Sequence, residues 1–287
     1  MGKRSMAFTK AIFYFITYST IQFLGMFIYI LGFLFLNCLH AASASHLPVD
    51  QLVHNALDQL SQNMTHHTEA ALLLANIMVF LVVVLLFRLK KRNLFTDLKI
   101  KKTNRNNLVA AFVVGLVWSY VLIFFLSFLY DLTSAFGDPA DYTVITIVSV
   151  ILIAPIMEEI FYRGIIFNQL NTRMKVASSA IITAFLFALG HHSSFVHWLL
   201  SFLWGIVSIW LYRTTGTLIV PILAHITNNA VAELVSHMRM PPFMFSCSFI
   251  VILIGTLIYI KHINRNSTSC TSCHSAPSDP ESGFYGG

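Results

Sequence analysis

The chain has 287 residues, 56% of them hydrophobic and 10% charged, with 18 Lys and Arg against 12 Asp and Glu for a formal net charge of +6. Soluble domains carry about 45–50% apolar and about 25% charged residues, so this balance, with a mean hydropathy of +0.73, excludes a soluble enzyme or binding module and defines a polytopic membrane protein. The positive excess is concentrated in one short segment, which argues for membrane topology and against nucleic-acid binding.

Runs near 20 residues long are needed to cross a hydrocarbon core of about 30 Å, and eight are present. The predicted class is therefore an all-α polytopic membrane helix bundle of about eight transmembrane helices. The first run, 11–40, follows MGKR and Lys10 and precedes AASAS. It is about twice as long as a signal-peptide apolar region of about 7–15 residues, so it is read as a span. His46, His54, His66, His67 and Glu69 then fill a gap expected to be a solvated extracytoplasmic loop. The second run, 70–87, leads into RLKKRNLFTDLKIKKTNR at 88–105, which holds eight basic residues and one Asp. This segment reads as cytoplasmic under the positive-inside rule. The third run, 108–130, precedes an acidic gap with Asp131, Asp138 and Asp141; the remaining runs are 143–167, 176–194, 197–212, 217–235 and 243–260.

Lys3, Arg4, Lys10, Arg173, Lys175, Arg213, Lys261 and Arg265 alternate with poorly basic gaps, which predicts a multi-pass protein of the cell membrane with both termini cytoplasmic. Cys38, Cys247, Cys270 and Cys273 imply no disulfide scaffold, and the C-x-x-C-H run ending at His274 lies in a Ser-, Gly- and Pro-rich tail expected to be disordered. The expected organisation is a scaffold over 1–142 with a basic cytoplasmic loop at 88–107, a catalytic core over 143–235, a last transmembrane helix over 236–263 and a tail over 264–287. No internal repeat and no alternating strand pattern is visible. Intramembrane Glu and His also occur in proton-coupled transporters, but paired halves with matching Gly or Pro breaks are missing from the sequence.

Ionisable residues in hydrocarbon are costly and normally face a bundle interior or a wet cavity. Here they sit in three runs: Glu158, Glu159 and Arg163; His191 and His192; His225, Asn228, Asn229 and Glu233. Helical spacing sorts them. Glu159 and Arg163, four apart, share a face as an ion pair, while Glu158 is turned by about 100° and stacks on Tyr162. His225 and Asn229 repeat the spacing, as do Phe187 and His191. One polar stripe from each of three helices would assemble a Glu, two His and an Asn.

Such a set suits amide hydrolysis. A desolvated carboxylate can take a proton from water, a histidine can share that task or bind a metal, and His with Asn can donate to an oxyanion. Zinc would also accept Glu158, His191 and His225 with a fourth position left to water. Both a metal-free and a zinc-bound water remain open at this point.

The motifs EEIFYR, FALGH and HITNN resemble those of the CPBP family of CAAX proteases, bacteriocin-processing enzymes and lysostaphin-resistance-like proteins, whose pattern is E-E-x-x-x-R, then F-x-x-x-H, then H-x-x-x-polar. The resemblance spans roughly 143–235 and implies an intramembrane endopeptidase. It implies that Glu158 activates water with help from His191, that His225 and Asn229 stabilise the oxyanion, and that Glu159 and Arg163 support the site. The implied partners are the lipid bilayer and a peptide or lipidated-peptide substrate, either a CAAX-type prenyl protein or a pheromone or bacteriocin precursor. The family has been described both as metalloproteases and as glutamate-dependent proteases. The competing expectation is a non-catalytic self-immunity or regulatory membrane protein of the same fold.

Overall fold

Apolar runs with no internal proline or charge cluster continue as helix through a bilayer because every backbone group is then satisfied within its own segment. The computed structural model describes residues 2–44, 47–129, 144–191 and 194–238, and among them there are helices and no strands. In chain order these are α1 (Lys3–Ala44), α2 (Val49–Gln62), α3 (Met64–Leu89), α4 (Leu94–Asp97), α5 (Arg105–Leu129), α6 (144–171), α7 (Val176–Leu189), α8 (Phe195–Thr215) and α9 (Ile219–Met238). Spans in α1, α3, α5 and α8 are long and apolar enough to cross a membrane. The eighth expected span at 243–260, the domain assigned to 236–263 beyond Met238, the tail at 264–287, the acidic gap at 131–141, and His46 and His192 lie outside the described residues.

Three elements differ from expectation. The gap between the first two runs is not a loop but contains α2, whose Leu52 and Ala56 are buried against its neighbours. His67 lies inside α3, with Nδ1 2.9 Å from the Tyr29 hydroxyl of α1. The fifth run is shorter than expected: α7 ends at Leu189, Gly190 follows as its cap, and the helix is 14 residues long. At 1.5 Å per residue that is about 21 Å, short of a full crossing. His191 therefore sits just past the helix end.

The most extensive helix pairings are α5 with α9, α1 with α3, and α7 with α8. Each has a glycine at its closest approach. Gly25 faces Ala75, Gly115 faces the Ala224 carbonyl and Thr227, and Gly205 faces Ala184. A Cβ on Gly25 would stand 2.6 Å from Ala75 Cα and one on Gly205 2.9 Å from Ala184 Cα, so only glycine permits these contacts. Lipid gives helices no hydrophobic reason to associate, and close backbone packing through small residues supplies the attraction instead.

α6 runs unbroken for about 40 Å and changes hydrogen-bond register twice, with π-helical turns at Ile147–Ile153 and Ile160–Phe167 around an α-helical stretch at Ala154–Glu159. It extends past Arg163 to Asn171. Such π turns widen a helix locally and re-aim side chains.

The basic segment is more than a topological signal. Asn93 caps α4 through Phe95 N and Thr96 N at 3.0 and 3.2 Å. Leu98 is 1% exposed, lodged where a Cβ on Gly164 would touch it. The irregular stretch after it is pinned to the α8–α9 turn: Leu218 N donates to the Lys99 carbonyl at 3.1 Å and Thr217 Oγ1 to the Lys101 carbonyl at 2.8 Å.

Candidate active site

The two adjacent carboxylates of α6 occupy different surroundings. Glu159 is fully buried, whereas the Glu158 side chain keeps 19% exposure. Glu159 Oε1 lies 3.1 Å from Arg163 Nη1 one turn on, close enough for an ion pair though not aligned as a hydrogen bond. Arg163 Nη2 donates to the Gly205 carbonyl of α8 at 3.4 Å. Its guanidinium carbon stands 4.7 Å from the centre of the Phe187 ring, a cation–π contact in a dry setting. Ser208 of α8 donates to Glu159 Oε2 at 2.6 Å. Both oxygens of Glu159 are thus committed.

His225 of α9 bridges the pair. Its Nδ1 lies 3.0 Å from Glu159 Oε1 and its Nε2 3.7 Å from Glu158 Oε2. An ionised carboxylate can only accept, so pairing of Glu159 with Arg163 places the ring hydrogen on Nδ1 and turns Nε2 toward Glu158. The imidazole is held between two aromatic rings, with Phe187 at 6.1 Å and Trp204 at 5.3 Å between centres. Phe187 also meets Tyr162 at 5.1 Å and His191 at 4.6 Å, so this one ring touches every helix that carries a motif. His191 Nδ1 lies 3.1 Å from the Phe187 carbonyl, and its ring is 6.1 Å from that of His197.

Asn229 is committed on both sides. Its Oδ1 accepts from Asn228 Nδ2 at 3.1 Å, and its Nδ2 donates to the Val150 carbonyl at 3.0 Å. In the π register of this turn the donor to Val150 would be residue 155, which is a proline without an N–H. Asn229 supplies the missing donor, the kind of rescue from a neighbouring helix that lets proline persist in a membrane helix.

Among the described residues no three His, Cys, Asp or Glu side chains stand close enough together to hold one ion. Glu158, His191 and His225 are therefore not gathered as a metal-ligand set here. The residues brought together are Glu158, Glu159, Arg163 and His225, with Asn229 one turn along α9 and His191 linked to them through Phe187.

Sequence reasoning missed the contribution of α8, namely Ser208, the Gly205 carbonyl and Trp204. A signal existed, since Trp204, Ser208 and Tyr212 repeat at four-residue spacing and all three are buried, and Tyr212 in turn accepts from Asn168 Nδ2 at 2.8 Å.

A bundle of apolar helices enclosing a partly open carboxylate, backed by a buried Glu–Arg–His–Ser network, defines a multi-pass membrane protein. Residues 140–231 match the family model described as Rce1-like, type II CAAX prenyl endopeptidase. The match covers about a third of the chain and includes all three motifs on which the resemblance to CAAX proteases rests. It supports a membrane endopeptidase in general terms. No curated protein and no solved structure matches the chain.

Proposed function

We propose that the protein is an intramembrane endopeptidase that hydrolyses a peptide bond in a membrane-associated substrate, either a CAAX-type prenyl protein or a peptide precursor. The observation that carries the reading is the asymmetry of the two carboxylates. A buried, fully paired Glu159 orients His225, and that imidazole faces a partly open Glu158. In the proposed step Glu158 takes a proton from water as the water oxygen attacks the scissile carbonyl carbon, and then returns that proton to the leaving amide nitrogen. In this step His225 acts as the imidazolium: its Nδ1–H stays on Glu159 and its Nε2–H meets the charge developing on the carbonyl oxygen. Asn229, with one amide hydrogen held by Val150, has a second to offer. Glu159, Arg163 and Ser208 are positioning residues that fix the imidazole, and His191 assists from the end of α7.

The test is cleavage of a panel of prenylated and leader-type peptides by purified protein, wild type beside Glu158→Ala, with bound metal quantified in the same samples. Cleavage by wild type alone supports the reading, and the metal content assigns the water to a carboxylate or to an ion. Equal cleavage by both proteins removes Glu158 from the chemistry.

A further inference from the structure

A cavity of about 310 Å³ lies between α1, α3 and the second half of α6. Its volume falls at the lower end of the range typical of ligand pockets. Its walls are mainly apolar, with Ile21 of α1, Val83 and Leu86 of α3, and Phe161 and Ile165 of α6, and Thr17, Tyr18, Asn168 and Gln169 add polar groups among them. Its mouth is basic, with Lys90 and Arg92 beside Asp97. Among the described residues the one acid lining the cavity is already paired, because Asp97 Oδ2 accepts from Arg92 Nε at 2.7 Å. Lys90 is exposed and has no ion pair or hydrogen-bond partner for its ammonium among the described residues. The α3 lining runs from Val79 to Lys90, about 16 Å along the helix axis. That is close to the depth of one leaflet of a core about 30 Å thick.

We propose that this cavity binds one anionic phospholipid, with its phosphate on Lys90 and Arg92 and one acyl chain lying along α3 between Ile21 and Phe161. A free phosphate would use the mouth and leave a leaflet-deep apolar body unexplained. A chain ending in a phosphodiester satisfies both ends at once, and basic pockets between membrane helices on the cytoplasmic side are where acidic headgroups are held. Neither Glu158 nor His225 lines the cavity, so the inference does not depend on the proposed hydrolysis. A lipid held here would pack α1 and α3 against α6 and so support the helix that carries both carboxylates.

The experiment is native mass spectrometry of the delipidated full-length protein in detergent, incubated with phosphatidylglycerol, with phosphatidylcholine of the same chains, or with inorganic phosphate. The expected result is retention of one phosphatidylglycerol per chain, at least tenfold over phosphatidylcholine. Excess inorganic phosphate should not displace it. Lys90→Glu should reduce retention at least tenfold, and Lys102→Glu, an equal charge change on the same segment outside the cavity, should leave it unchanged. Ile21→Trp, which fills the apolar body, should abolish it with the basic mouth intact, its folding checked by the melting temperature in lipid-free detergent. If Ile21→Trp does not fold, the contrast between Lys90→Glu and Lys102→Glu decides alone. Equal retention of both lipids, displacement by phosphate, or equal loss in the two lysine variants would each overturn the proposal.

Discussion

The α1–α3 pair and the α6–α8–α9 cluster share one apolar composition and use it in opposite ways. α1 exposes almost all of its span, including Phe13, Phe23 and Phe35, whereas nearly half of the α8 span is buried. In water the exposed rings would be a liability, but in lipid they lie in their own solvent. The bilayer removes the hydrophobic argument for packing, so order in the inner cluster comes from polar groups with nowhere else to go. Glu159, Arg163, Ser208, His225 and Asn228 are all buried there. In the α1–α3 pair the buried polar links are few, chiefly Gln22 Nε2 donating to Asn76 Oδ1 at 2.9 Å.

That contrast breaks most sharply within α6 itself. Glu158→Ala is expected to lower cleavage by about three orders of magnitude, the middle of the range of about 10²–10⁴ for loss of a general base, with an unchanged melting temperature. Arg163→Ala should do the reverse as its primary effect. It leaves Glu159 charged and buried without its partner, which costs about 3–5 kcal/mol and lowers the melting temperature. Pairing Arg163→Met with Glu159→Leu should recover much of that loss, because both charges then leave together. A melting temperature as low in the double variant as in Arg163→Ala would show that the pair is not the source of the cost.

The next effect tests the α9 contact. Asn229→Leu removes the donor to the Val150 carbonyl, and an orphaned buried acceptor costs about 1–3 kcal/mol. Pro155→Ala in the same background returns a backbone N–H to α6 and should restore part of the stability lost. Should the two substitutions simply add, Asn229 is not standing in for the proline.

What could be read in advance follows from which interactions are local. Glu159 with Arg163 and His225 with Asn229 each lie within one helix, four residues apart, so the 3.6-residue period alone places them on one face. Ser208, the Gly205 carbonyl and the Asn229–Val150 bond depend on which helices are neighbours and how each is rotated, and nothing in a lone chain states either. α2 was legible and still missed. Val49, Leu52, Val53, Ala56, Leu57 and Leu60 form a helical stripe, but the histidines scattered around them directed the reading toward a solvated loop. The end of α7 at Leu189 was legible too: the polar run GHHSS at 190–194 breaks the apolar pattern, but it is short and apolar residues resume at Phe195, which drew the expected span across it. The three Gly–Ala approaches were present as single letters, with meaning only once the pairings were known.

The outer region offers the smallest effects, and two positions on α1 separate them. Gly25→Leu forces a side chain into Ala75 and should cost about 1–3 kcal/mol by overpacking. Phe23 is two residues away and 75% exposed. Its ring meets lipid in the folded protein and would also meet lipid if α1 were inserted but unpacked, so Phe23→Ala changes both states nearly equally. The expected change is within about 0.5 kcal/mol, as for exposed positions with no special contact. The measurement is reversible unfolding of the two variants in the same bicelles. A large loss from Phe23→Ala would mean that the exposed face of α1 is covered in the bilayer, by a second copy of the chain or by another protein, and the contrast between the two regions would then narrow to a difference in partners.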